Sequence, residues 1–164
     1  MKKLLIVRHA KASWNNTLFK DYERPLTKNG HQDALLIAQY LKTKHHIPDY
    51  IISSSAKRAI QTTNIISQIL SPELSICKER LIYGGSTNEM ISIIHTIDNQ
   101  YNNIMMVGHN PTTTLLINKI SNSHIDYVPT SGSVIIEFTI SKWQHINNNG
   151  TLIDFIHPKK LKIL

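Results

Sequence analysis

Leu4-Leu5-Ile6-Val7-Arg8-His9-Ala10 begins as a run of aliphatic residues that halts at an arginine–histidine pair. Aliphatic side chains without polar alternation suit a strand buried on both faces of a sheet. The pattern recurs at Tyr50-Ile51-Ile52, which runs into Ser53-Ser54-Ser55, and at residues 103–107, which run into Gly108-His109-Asn110-Pro111. Residues 27–44, 56–70 and 112–120 carry apolar positions at helical spacing, with Thr27 placed to cap the first of these helices. Strands alternating with helices predict a three-layer α/β/α fold around a mostly parallel central sheet. Residues 133–140 and 151–156 read as strands with no helix between them, so antiparallel edge strands are expected at the C-terminus.

Open α/β sheets bind ligands outside the carboxyl ends of their strands. In this sequence Arg8, His9, Arg58 and His109 follow those ends. Any one of them alone reads as a solvated loop residue or a satisfied core histidine. Together they share one chemistry. A phosphoryl group in transfer spreads charge over three equatorial oxygens, so its catalyst needs cationic donors and an in-line nucleophile. Arginine offers a planar fork that binds two oxygens at once. Neutral imidazole is nucleophilic near neutral pH without an adjacent base.

The 164 residues, 41% of them hydrophobic, suffice for one packed core, and a single domain spanning residues 1–164 is expected. Cys77 is the only cysteine, so no intramolecular disulfide can form and a cytoplasmic location is expected. The start of the chain imitates a signal peptide, but its apolar run ends at Arg8, too early for one. No stretch is long enough to span a bilayer, and no membrane association is expected. Lys and Arg exceed Asp and Glu by 18 − 11 = 7, which favours anionic partners. The dense basic run, Lys159, Lys160 and Lys162, lies at the C-terminus without interleaved aromatics, which argues against nucleic acid. His45 and His46 lack ligand spacing with carboxylates or thiols, so neither metal nor cofactor is expected.

Leu5-Ile6-Val7-Arg8-His9-Ala10 resembles the RHG signature of the histidine phosphatase superfamily, with alanine in the glycine position. Residues 25–34, PLTKNGHQDA, are similar to that family's PLTxxGxxQA helix start, with the glutamine displaced. Residues 53–62, SSSAKRAIQT, are similar to its SxxxRAxQT segment, and Val107-Gly108-His109-Asn110-Pro111 to its second histidine loop. Arg8-His9-Ala10-Lys11-Ala12-Ser13-Trp14 and Asp21-Tyr22-Glu23-Arg24-Pro25-Leu26 resemble the SixA-like branch, the phosphohistidine phosphatases, and residues 129–133 resemble its threonine–serine loop. Ala12 stands where that branch carries serine.

The resemblance implies a phosphoglycerate mutase-like fold in which His9 is the nucleophile and Arg8, Arg58 and His109 hold phosphate or another anion. It implies a phosphohistidine-bearing protein as substrate, in phosphorelay signalling, with no metal. Arg24 either adds a cation to the pocket or anchors the loop ahead of the Thr27 helix. Asn15 either donates to phosphate or caps a loop, and Asn110 is a further candidate for substrate binding. Ester-cleaving members of the superfamily place a carboxylate after an Arg-Leu segment; here Tyr83 follows Arg80-Leu81, leaving Glu79, Asp21 or no residue as the general acid. The alternatives are a superfamily enzyme acting on small phosphorylated metabolites and a catalytically dead binding module. Residues 70–102 are too few for the large cap of the former, and the retained site residues argue against the latter.

Overall fold

The computed structural model describes residues 1–14 and 18–163. Its first strand, β1 (Lys2–Arg8), sends Leu4 and Ile6 to one apolar cluster and Leu5 and Val7 to another, which is why the run shows no polar alternation. β1 starts at Lys2, earlier than expected. Lys2 is 2% exposed, and its ammonium donates to the carbonyls of Asn99 and Tyr101 and to Asn102 Oδ1.

The chain continues through α1 (Lys28–Thr43), β2 (Tyr50–Ser54), α2 (Lys57–Leu70), β3 (Ile76–Glu79), α3 (Leu81–Gly84), α4 (Thr87–Thr96), β4 (Asn103–Gly108), α5 (Thr112–Ile120), β5 (Ser133–Phe138), β6 (Thr151–Ile156) and α6 (Pro158–Ile163). One six-stranded sheet results, in the order β3-β2-β4-β1-β5-β6. β1 to β4 run parallel, while β5 is antiparallel to β1 and β6 to β5, as expected for the C-terminal edge. α1 and α2 cover one face of the sheet through Ile37, Leu41, Ala59 and Ile66. α4 and α5 cover the other through Met90, Ile94, Leu116 and Ile117, joined by the fully buried Trp143. These are the three predicted layers. Among the described residues no helix is long and apolar enough to cross a membrane.

β3, α3 and α4 fill a stretch that the sequence reading left unassigned. β3 is short, half polar and only partly buried, so it lacks the aliphatic run that marked its neighbours. α4 carried a legible signal, a capping box in which Ser86 Oγ accepts from the Glu89 amide and the Glu89 carboxylate accepts from the Ser86 amide. The stretch forms an edge strand and a core helix rather than a cap, since Met90 and Ile94 pack into the apolar cluster.

Thr27 caps α1 as expected, accepting from the Gly30 amide at 2.9 Å. A Cβ at Gly30 would lie 2.2 Å from the Lys11 carbonyl oxygen. The glycine thus lets the start of α1 press against the loop that follows β1, where the Thr27 amide also donates to Lys11. Gly30→Ala should cost about 1–3 kcal/mol by overpacking, lowering Tm by several degrees in a calorimetric scan. An unchanged Tm would mean that this loop yields freely.

Candidate active site

Pairing of β1 with β4 sets Arg8 opposite Gly108, and pairing of β2 with β4 sets Ser53 opposite Val107. The carboxyl ends of the three strands are therefore level, and His9, Ser54 and His109 leave the sheet at one point. The His9 and His109 rings lie 5.0 Å apart between centroids, and both residues are buried. Arg58, one residue into α2, reaches the same point from the β2 side.

Backbone and hydroxyl contacts fix each ring. His9 Nδ1 lies 2.7 Å from the Ala10 carbonyl, which can only accept, so Nδ1 carries the proton. His9 Nε2 then keeps its lone pair and accepts from Arg58 Nε at 3.3 Å. His109 has the complementary arrangement. Its Nε2 lies 2.7 Å from Ser54 Oγ, which accepts from the Ala56 amide and has its own proton to donate; in the tautomer whose Nε2 takes that proton as an acceptor, Nδ1 bears the ring N–H. Among the described residues, that Nδ1 and Arg8 Nε are buried donors with no partner.

Burial is the largest cause pushing the His9 pKa down, to about 4; the Ala10 hydrogen bond opposes it, and the charges of Arg58, Arg8 and Arg24 add to it. Burial likewise dominates at His109, with His9 and Arg58 adding, and takes it to about 3. Both rings are neutral at pH 7.

Ala10 explains the departure from glycine: its methyl is buried beside Leu26 and Ala34. Its amide donates to Thr62 Oγ1, whose hydroxyl donates to the Arg58 carbonyl. The loop after β5 completes the floor, as the Ser131 amide donates to the carbonyls of Arg8 and His9 and the Arg8 amide to Gly132.

Arg8 donates from Nη1 to the Tyr127 hydroxyl and the Val128 carbonyl. Arg24 holds its loop by donating to the Ser13 carbonyl and Asp21 Oδ1, and stacks on Trp14, while its charge still reaches His9. Asn110 uses its amide internally, donating to the Val128 carbonyl and accepting from Thr114, so the geometry makes it a support for the loop that receives Arg8. Asn15 lies outside the described residues.

Asp21 sits at the centre of the cations. Its Oδ1 accepts from Arg24, its Oδ2 from Arg58 Nη2 and the Tyr83 hydroxyl, and its carbonyl from Arg58 Nη1. Burial opposes ionisation, but these bonds and the Arg58 charge hold its pKa down to about 2. Glu79 is engaged elsewhere, accepting from the Leu81 amide at the start of α3. The sequence reading gave no site role to Ser54, Thr62, Tyr83 or Tyr127. Tyr83 packs edge-on to His109, 5.6 Å between centroids. Ser54, at the end of β2, and Thr62, inside α2, lie within the arginine motif, which was the available signal; Tyr127 had none.

A family model described as histidine phosphatase superfamily (branch 1) matches residues 4–81. An uncharacterised protein of Mycobacterium tuberculosis is 32% identical over 110 residues, covering 67% of this chain and 66% of that protein. Phosphoglycerate mutase 1 of Saccharomyces cerevisiae is 40% identical over 67 residues, 40% of this chain and 27% of the enzyme. The matches thus span between about a quarter and about two thirds of these relatives. Among solved structures, SixA of Agrobacterium tumefaciens, assigned as a phosphohistidine phosphatase, is 26% identical with a TM-score of 0.82, covering 96% of this chain and 98% of that one. A protein histidine phosphatase SixA complexed with tungstate shares the fold at 21% identity and a TM-score of 0.84, covering 97% and 99%.

The tautomers and the pKa values give a direct prediction for the free protein. In ¹⁵N-resolved NMR, His9 should show a protonated Nδ1 and a bare Nε2, and His109 the same, with neither ring titrating between pH 7.5 and 5. An imidazolium at either ring near pH 6.5 would contradict the geometry. Because both folded-state pKa values lie below the unfolded value of 6.5, the two rings contribute no pH dependence to stability above that pH. Stability should fall progressively from about pH 6.5 to about pH 4 as the unfolded chain gains protons that the folded one refuses.

Proposed function

The chain belongs to the histidine phosphatase superfamily, whose members are phosphatases and mutases, and on that premise we propose that it is a phosphohistidine phosphatase acting on a partner protein. One observation carries the reading: a neutral imidazole presents its unprotonated Nε2 into a cluster of guanidinium groups, beside a second imidazole that presents an N–H. His9 Nε2 attacks phosphorus and becomes phosphorylated, and water then releases phosphate. Arg58, Arg8 and the His109 Nδ1–H bind the equatorial oxygens as charge builds on them. The Ala10 carbonyl steadies the Nδ1–H of His9 as that ring gains positive charge.

The leaving atom favours a phosphorus–nitrogen bond. An alkoxide needs a positioned acid, which typically contributes about 10² to 10⁴ in rate. Glu79 accepts from the Leu81 amide, Asp21 is held ionised and Tyr83 donates to Asp21, so none is placed as an acid for the leaving group. Imidazole protonated from solvent leaves without such help. Residues 71–102 lay no cap over the pocket, which suits a substrate carried on a protein, such as a phosphorelay component, met in the cytoplasm.

Phosphohistidine proteins, phosphoserine proteins and sugar phosphates, each assayed with a chelator present, should separate the readings. The phosphohistidine substrate should be preferred at least about a hundredfold in kcat/KM, the lower end of the acid contribution. His9→Ala should abolish both turnover and acid-labile labelling of the protein, whereas loss of one oxygen donor costs roughly 10² to 10³. Efficient hydrolysis of a sugar phosphate would favour the metabolite reading instead.

A further inference from the structure

A carboxylate beside an anion pocket repels the anion that the pocket collects, so the position of Asp21 calls for a reason. Tethering is part of it, since one carboxylate bonds two guanidinium groups. Tethering alone would be served by a buried carboxylate, yet the Asp21 side chain is 46% exposed while those of Arg24 and Arg58 are 10% and 7%. The carboxylate is thus the solvent-facing member of a cluster whose guanidinium groups are buried, and through Arg58 it is joined to His9. It also neighbours His109, whose pKa its charge raises, and it takes the Tyr83 hydroxyl as a donor at 2.8 Å.

We propose that Asp21 selects the leaving group, accepting a hydrogen bond from a ring that is cationic while phosphorylated and leaves neutral, and opposing a group that departs as an anion. The proposal rests on the phosphohistidine reading and narrows it to substrates whose leaving nitrogen belongs to a cationic group, an imidazole phosphorylated on one nitrogen and protonated on the other. The step balances without a further reactant. His9 Nε2 forms a bond to phosphorus, and the bond from phosphorus to the leaving nitrogen breaks with its electron pair going to that nitrogen. The ring departs as neutral imidazole and keeps its other N–H, which Asp21 accepts throughout. An alkoxide leaving beside the same carboxylate meets like-charge repulsion and no proton donor.

The test compares kcat/KM for a phosphohistidine peptide and for para-nitrophenyl phosphate, whose phenolate departs without a proton or a cation-binding partner. Asp21→Asn should lower the first by about tenfold or more beyond any fall in the second, the size of one charge-assisted hydrogen bond. Both substrates are measured on one preparation, so any loss of folded protein cancels in the ratio. Asp21→Glu keeps the charge and should hold the ratio nearer to wild type. Equal falls on both substrates in Asp21→Asn would leave Asp21 as a holder of Arg58 alone and overturn the proposal, as would equal loss of the ratio in both variants. A wild-type protein without preference for the phosphohistidine peptide would instead sink the phosphohistidine reading itself.

Discussion

The site depends on the register between β1 and β4. With Arg8 opposite Gly108, the His9 amide donates to the Gly108 carbonyl at 3.0 Å and the two histidines leave neighbouring strands at the same height. A slip of one residue would turn every side chain of β1 to the opposite face. It would send Leu4 and Ile6 where Leu5 and Val7 belong, against α1 and α2 rather than α5. The two apolar clusters therefore fix the separation of the imidazoles, although neither cluster touches a substrate. β2 joins this frame through its own register with β4, which brings Ser54 under His109.

That frame was legible because its strands are buried on both faces and so carry uninterrupted aliphatic runs. The residues leading out of those runs, Arg8, His9 and His109, together with Arg58 at the start of α2, were legible as a set because one chemistry needs all of them. β3 escaped because an edge strand with Cys77 and Lys78 exposed has no such run. Tyr127 escaped because its contact with Arg8 spans 119 residues of sequence and depends on where a loop lands. Asn110 was assigned toward substrate by its place in a motif, whereas its amide closes the loop at Val128. A motif fixes which residues stand near a site, and only hydrogen-bond accounting separates those that face the ligand from those that hold the scaffold.

Alternating roles for the two histidines follow from uncharged neighbours. Paired with carboxylates, both rings would tend to protonate, and two imidazolium ions 5.0 Å apart among three arginines would repel strongly. Here a backbone carbonyl fixes the proton on His9 and a serine hydroxyl fixes it on His109, and neither adds charge. Burial then keeps both rings neutral, one as a nucleophile and one as a donor, while the formal positive charge of the site resides on groups that cannot lose it. The Asp21 carboxylate bonds Arg24 and Arg58 and makes no hydrogen bond to either histidine among the described residues; its charge raises the His109 pKa, but burial outweighs it and the ring stays neutral.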